Sequence, residues 1–230
     1  MKINVFLNKF GLMLKTDGLL QKYGYEINVQ AHDEDLEEYA IEFVETVFHY
    51  LETGHKISPN ETLGYGSWIT KMQLNDCQEL LFFEKVPLTD DYVLGITTTL
   101  KMWAEQHALC AKLGVEYSVP LQDQLIVISD GVFEGDAVEG VRYPSPEHMS
   151  GWWITTDRYN GDTQTLKTVH AYHVAEHRPD LVKFLALPFG YRFHEASGDV
   201  WKDKNQEDYE ALLPWNCCKR LMNPTFPADN

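Results

Sequence analysis

His170, His173 and His177 are spaced three and four residues apart. If residues 166–177 are helical, that spacing puts three imidazoles on one face. Imidazole is a common metal ligand, so a metal-dependent hydrolase built on this trio is one reading of the chain. His148 and His194 would add donors. Two points oppose it. No cysteine lies nearby to complete a tetrahedral site. In a strand, His170 and His173 would point to opposite faces. Nothing local activates a nucleophile either. Cys77, Cys110, Cys217 and Cys218 form no C-x-x-C pair, and none sits in an evident electropositive setting. The glycine-rich nucleotide loops, the serine nucleophile elbow and the H-E-x-x-H zinc motif are all absent. With 35 acidic residues, a glycosidase-like carboxylate pair arises by accident and carries no weight. The six tryptophans (Trp68, Trp103, Trp152, Trp153, Trp201, Trp215) favour core packing over a sugar or peptide groove. No catalytic residue and no cofactor is assigned, and the chain reads as a non-enzyme.

The stronger signal is electrostatic. Between Asp33 and Glu52 stand eight acids (Asp33, Glu34, Asp35, Glu37, Glu38, Glu42, Glu45, Glu52) and no Lys or Arg. They supply half of a net charge of −16. The helix dipole favours the acids of the first turns but not Glu45 and Glu52. Glu34/Glu38 and Glu38/Glu42 are like-charge i, i+4 pairs, each unfavourable by roughly 0.2–0.5 kcal/mol. A helix selected for stability alone would place Lys at one of these sites. Glu34, Glu37, Glu38, Glu42 and Glu45 therefore form a candidate face for a basic protein partner. A solvated surface or an adaptor for some other basic protein are the competing readings.

Charge and composition exclude other classes. With 19 Lys+Arg against 35 Asp+Glu, neither nucleic acid nor an anionic membrane is an expected partner. At 44% hydrophobic and 13% aromatic residues, the chain has apolar surface enough to fold. The first residues lack the uninterrupted apolar run of a signal peptide, and adjacent Cys217 and Cys218 suit a reducing compartment. A cytoplasmic location is expected.

Periodicity supplies the elements. Residues 3–7 and 25–29 read as strands. Residues 34–53 carry the clearest helix, with Asp33 as N-cap, Gly54 just past the end, and Leu36, Tyr39, Ala40, Phe43, Val44, Val47, Phe48 and Leu51 as its apolar stripe. Runs 66–74 and 80–86 suggest a hairpin turning at Asn75-Asp76. A second helix is expected over 90–113, its first turn carrying Asp90 and Asp91, its stripe running from Val93 and its end at Gly114. Pro120 marks a boundary. Beyond it, 125–129 and 138–143 are expected to pair antiparallel, and 152–156 is a third strand. Residues 163–177 are ambiguous. A short helix follows over 178–187, then a turn at Pro188-Phe189-Gly190 and a strand at 191–194. A last helix is expected at 206–213. Strands and helices without strict alternation predict an α+β fold of mostly antiparallel sheets with a few amphipathic helices. The expected regions are 1–118, with the acidic helix, and 119–230.

Residues 125–193 also carry a recognisable series. It begins with an apolar strand ending in Ser129-Asp130-Gly131, then Val141-Arg142-Tyr143 and Ser150-Gly151-Trp152-Trp153-Ile154-Thr155-Thr156-Asp157. Leu166-Lys167-Thr168-Val169-His170 and Arg178-Pro179-Asp180-Leu181 follow, then Leu185-Ala186-Leu187-Pro188-Phe189-Gly190-Tyr191-Arg192-Phe193. This series resembles the immunity protein 33-like domain, over roughly the last 100 residues. The resemblance implies a cytoplasmic immunity protein, made beside a polymorphic, secretion-delivered toxin and neutralising it by tight binding. A type VI secretion system is one such delivery route. Gly151, Trp152, Trp153, Pro188 and Gly190 are its structural motif, and Asp157 joins the candidate partner-binding set. Acidity and resemblance converge on a toxin with a basic surface, for which a nuclease is the leading expectation.

Overall fold

The computed structural model describes residues 1–8, 11–58 and 60–203, so the helix expected at 206–213 lies outside the described residues. The architecture is α+β, with two separate sheets. It divides into two compact units. The first takes Met1–Tyr65 and Ile69–Ala104. The second takes Gly66–Trp68 and the described residues from Glu105 onward. The division falls inside a helix, whereas the sequence expectation set the change at residue 119.

In chain order, the first stretch contains β1 (Lys2–Asn8), β2 (Gly11–Asp17), α1 (Leu20–Tyr23), β3 (Glu26–Ala31), a 3-10 turn (Glu34–Leu36) and α2 (Glu37–Glu52). It continues with β4 (Thr62–Tyr65), β5 (Trp68–Leu74), β6 (Glu79–Lys85), β7 (Tyr92–Leu94) and α3 (Thr97–Leu113). Among the described residues the sheet runs β1-β2-β3-β6-β5-β4, with β7 added beside β6. The strand β2 was not expected. Leu12, Leu14 and Thr16 alternate inward, but Met13 between them blurs the period. Gly11 begins β2 at φ +112, where any Cβ would collide with the Ala31 carbonyl.

The acidic segment is helical as expected, with one refinement. Asp33 caps the 3-10 turn, accepting from the Asp35 N–H at 3.1 Å, and α2 proper starts at Glu37. Ala40, Phe43, Val44, Val47 and Leu51 are fully buried. Phe43 meets Tyr65 and Phe82 edge-on, with centroids 4.8 and 4.9 Å apart. Burying such side chains stabilises by about 1.5–3 kcal/mol each. It also fixes which face of α2 looks outward.

The helix expected over 90–113 is a strand followed by a shorter helix. Val93, placed in its buried stripe, is in β7 and exposed. Gly95 at φ +100 breaks the pattern, pressed against the Gln30 carbonyl. The cap comes from elsewhere in the chain. Buried Glu84 on β6 accepts from the N–H groups of Thr98 and Thr99 at 3.0 and 2.9 Å, closing the first turn of α3.

The second unit adds β8 (Leu125–Ile128), β9 (Glu139–Arg142), β10 (Met149–Thr155), β11 (Lys167–His170), α4 (Ala171–His177), α5 (Val182–Leu185), β12 (Tyr191–His194) and β13 (Asp199–Lys202). Its order is β11-β8-β10-β9-β12-β13. The expected pairing of 125–129 with 138–143 does not occur. β8 instead lies parallel to β10 and antiparallel to β11, and β9 pairs with β10 and β12. The ambiguous stretch 163–177 resolves into a 3-10 turn, the strand β11 and the helix α4. Among the described residues no helix is long and apolar enough to cross a membrane.

Candidate partner-binding surface

Glu34, Asp35, Glu37, Glu38, Glu45 and Glu52 are exposed. On α2, Glu38, Glu45 and Glu52 recur every seven residues and so fall nearly in line. At 1.5 Å per residue this row of carboxylates spans roughly 21 Å. Asp35 and Glu52 were missing from the sequence-derived set, although the heptad spacing of Glu52 was visible in it.

Two acids of the segment are occupied within the fold. Asp33 pairs with Lys101 at 3.2 Å, and this contact, with the Asp35 N–H, holds its carboxyl below the usual range. Glu42 is half-buried and accepts a hydrogen bond from the Trp103 indole at 3.2 Å. Trp103 in turn lies 4.4 Å from the Tyr65 ring. Burial, and secondarily the Glu42 carboxylate, push the Tyr65 phenol far above its ordinary range. Glu42 therefore positions core aromatics, unlike its neighbours Glu38 and Glu45.

Asp157 belongs to the second unit, exposed just past β10. Its neighbour Arg158 pairs with Asp136 at 2.6 Å, and Lys167 pairs with Asp130 at 2.6 Å. That end of the sheet is thus a patch of both charge signs.

The Ser-Gly-Trp-Trp motif is a packing hub. Gly151 adopts φ +84, and a Cβ there would collide with the Tyr143 carbonyl and crowd Phe189. The pairing of β8 with β10 shifts register beside it. Trp152 is fully buried and donates to the Leu185 carbonyl at 2.9 Å. Trp153, on the opposite face, is half-buried with Tyr143 edge-on at 6.3 Å. Pro188 and Gly190 make the turn into β12, with the Gly190 N–H bonded to the Arg142 carbonyl at 2.8 Å. The sequence offered no sign of the role of Arg142 itself. Buried at the centre, it donates to the carbonyls of Ser118, Ser150 and Leu187 and lies over the Trp152 and Phe189 rings.

The three histidines do not lie on one helix. His170 ends β11 and precedes α4, with its ring 5.6 Å from that of His173. His177 stacks on Phe133 at 4.3 Å. Among the described residues no group of three or more His, Cys, Asp or Glu is arranged to hold a metal ion.

Residues 105–203 match the Imm33-like domain. The match covers less than half of the chain and lies within the second unit. The match begins at Glu105, where the long stretch of that unit begins, and reaches 20 residues upstream of the first motif that suggested it. No curated protein and no solved structure matches the chain.

Proposed function

We propose that this protein is an immunity protein that binds and neutralises a cognate toxin, with no catalysis of its own. The Imm33-like domain at 105–203 carries this reading. The acidic face supports a partner of basic surface: Glu34, Glu37, Glu38 and Glu45, joined by Asp35 and Glu52, meet cationic side chains, while Glu42 secures Trp103 from beneath. A nuclease fits best, because an enzyme that holds a phosphate backbone needs clustered Lys and Arg around its active site. Masking that surface blocks substrate entry. Such a toxin acts on nucleic acid in the cytoplasm, which is where its antidote would act, whether delivery is by a type VI secretion system or another route. In this reading the acidic segment 33–52 presents the surface and residues 105–203 form the Imm33-like core, on which Asp157 is exposed.

The test is co-expression with the toxin encoded by the neighbouring reading frame. Wild type should rescue growth and bind the purified toxin. Glu38→Lys, Glu45→Lys and Glu52→Lys combined should abolish rescue. The same triple variant should keep its stability within about 1 kcal/mol, since two of the three lysines lie toward the helix C-terminus, where the dipole favours them. A wild-type chain that neither binds nor rescues would end the proposal.

A further inference from the structure

The turn between β6 and β7 combines two features that do not help the fold. Thr89 N–H donates to the Val86 carbonyl at 3.2 Å, closing Val86-Pro87-Leu88-Thr89 as a β-turn. The Thr89 hydroxyl reaches the same carbonyl at 3.0 Å, and Val86 N–H bonds to the Asp91 carbonyl at 2.9 Å, so the tip is well tied. Pro87 suits the second position. The third needs positive φ and normally takes Gly or Asn. Here it is Leu88, at φ +60. A branched apolar side chain in that conformation is strained. Burial does not offset the strain, because Leu88 is 63% exposed, more than any other large apolar side chain among the described residues. Beyond the turn, β7 also exposes Val93 and Leu94, 49% and 42%, but as consecutive strand residues they look to opposite faces, so Leu88 stands as the single apolar tip.

The chain that leaves this hairpin leads to the acidic segment. Past Leu94, Ile96 N–H donates to the Gln30 carbonyl at 2.9 Å. The His32 N–H donates to the Thr97 hydroxyl at 2.9 Å, and Lys101 holds Asp33. The strand bearing Val93 and Leu94 is thereby fastened beside the start of the segment bearing Glu34, Asp35, Glu37 and Glu38. Residues 86–96 include Asp90 and Asp91, both exposed, and no Lys or Arg.

We propose that this turn is the apolar anchor of the partner-binding surface: Leu88 enters an apolar pocket on the partner whose rim is basic. The inference rests on the toxin-neutralising reading. Charge selects the occupant. A second copy of this chain would set Asp90 and Asp91 against identical acids, whereas a basic rim is complementary to them. A central anchor ringed by charge is also how interfaces concentrate their binding energy. A rigid turn presents such an anchor at little entropic cost on binding.

The test uses Leu88→Gly and Leu88→Asn, with the purified toxin from the neighbouring reading frame as probe. Both residues tolerate positive φ, so both variants should melt at or near the wild-type temperature. Both should lose at least about 30-fold in affinity, mostly through faster dissociation. Unchanged affinity overturns the anchor and leaves the toxin-neutralising reading standing. Absence of binding by wild type brings down that reading and the anchor with it. A Leu88→Asn variant that melts far below wild type assigns Leu88 to the fold instead. Wild-type dimers that Leu88→Gly dissociates in sedimentation make a second copy the occupant, and also overturn the proposal.

Discussion

Glu42 and Glu45 stand three residues apart on α2; one holds the Trp103 indole and the other is exposed. Residue type alone does not separate them. What separates them is the angle each takes around the helix relative to buried Phe43, and what α3 sets against it. The Gly151 position shows the same dependence on surroundings. Its glycine was recognisable as part of a motif, but the reason for it is the positive φ and the Tyr143 carbonyl lying where a Cβ would go. Gly151→Ala should therefore destabilise by about 2–4 kcal/mol, combining left-handed strain with overpacking. Urea denaturation followed by tryptophan fluorescence reads this directly. A change within about 0.5 kcal/mol, the scatter of neutral surface substitutions, would mean that the backbone relaxes around the methyl group.

At the scale of elements, local pattern was legible and long-range supply was not. The stripe of α2 stood out because eight apolar positions keep one period. The helix expected from residue 90 failed because its start signal, Asp90-Asp91, belongs to a hairpin, while the working cap is Glu84 on another strand. Strand β13 went unseen because a four-residue edge strand with one half-buried side chain leaves no period. Pairing partners in the second sheet were misjudged because parallel neighbours such as β8 and β10 are set by a crossover, not by a turn. Carboxylates that cap from a distance also give these elements a pH dependence. Glu26 accepts from the N–H groups of Gly18, Leu19 and Leu20 and from the Thr16 hydroxyl. Burial raises its pKa, but those donors outweigh burial and leave it below the ordinary 4.5. Glu79 is lowered as well, first by Lys15 and then, against burial, by Asn75 and Asn28. A carboxyl depressed in the folded state stabilises above its unfolded pKa, and that contribution is lost as pH falls through the folded pKa. Glu26→Gln should thus be less stable than wild type at pH 7, and the gap should close as pH drops below about 4. Urea midpoints across that range measure it; a gap that persists at low pH would trace the loss to the amide's poorer hydrogen bonding instead of to charge.

For the whole molecule, the net charge of −16 acts over distance and the apolar hairpin acts only in contact, so the two should separate in kinetics. The row Glu38, Glu45 and Glu52 spans roughly 21 Å, set by a rise of 1.5 Å per residue. From 0.01 M to 0.1 M salt, the screening length shrinks from about 30 Å to about 10 Å. At the lower salt the row acts on an approaching cationic surface as a single field; at the higher, each carboxylate acts nearly alone. Association of wild type with its toxin should therefore slow by about tenfold across that interval, while dissociation changes little. In the Glu38→Lys, Glu45→Lys, Glu52→Lys variant the salt dependence should flatten or reverse. In Leu88→Gly it should survive intact, because steering precedes contact with the anchor, and only the dissociation rate should rise. Stopped-flow mixing at two salt concentrations with these three proteins gives both rates. An association rate indifferent to salt in wild type would mean that the acidic face is only a solvated surface, however tight the final complex.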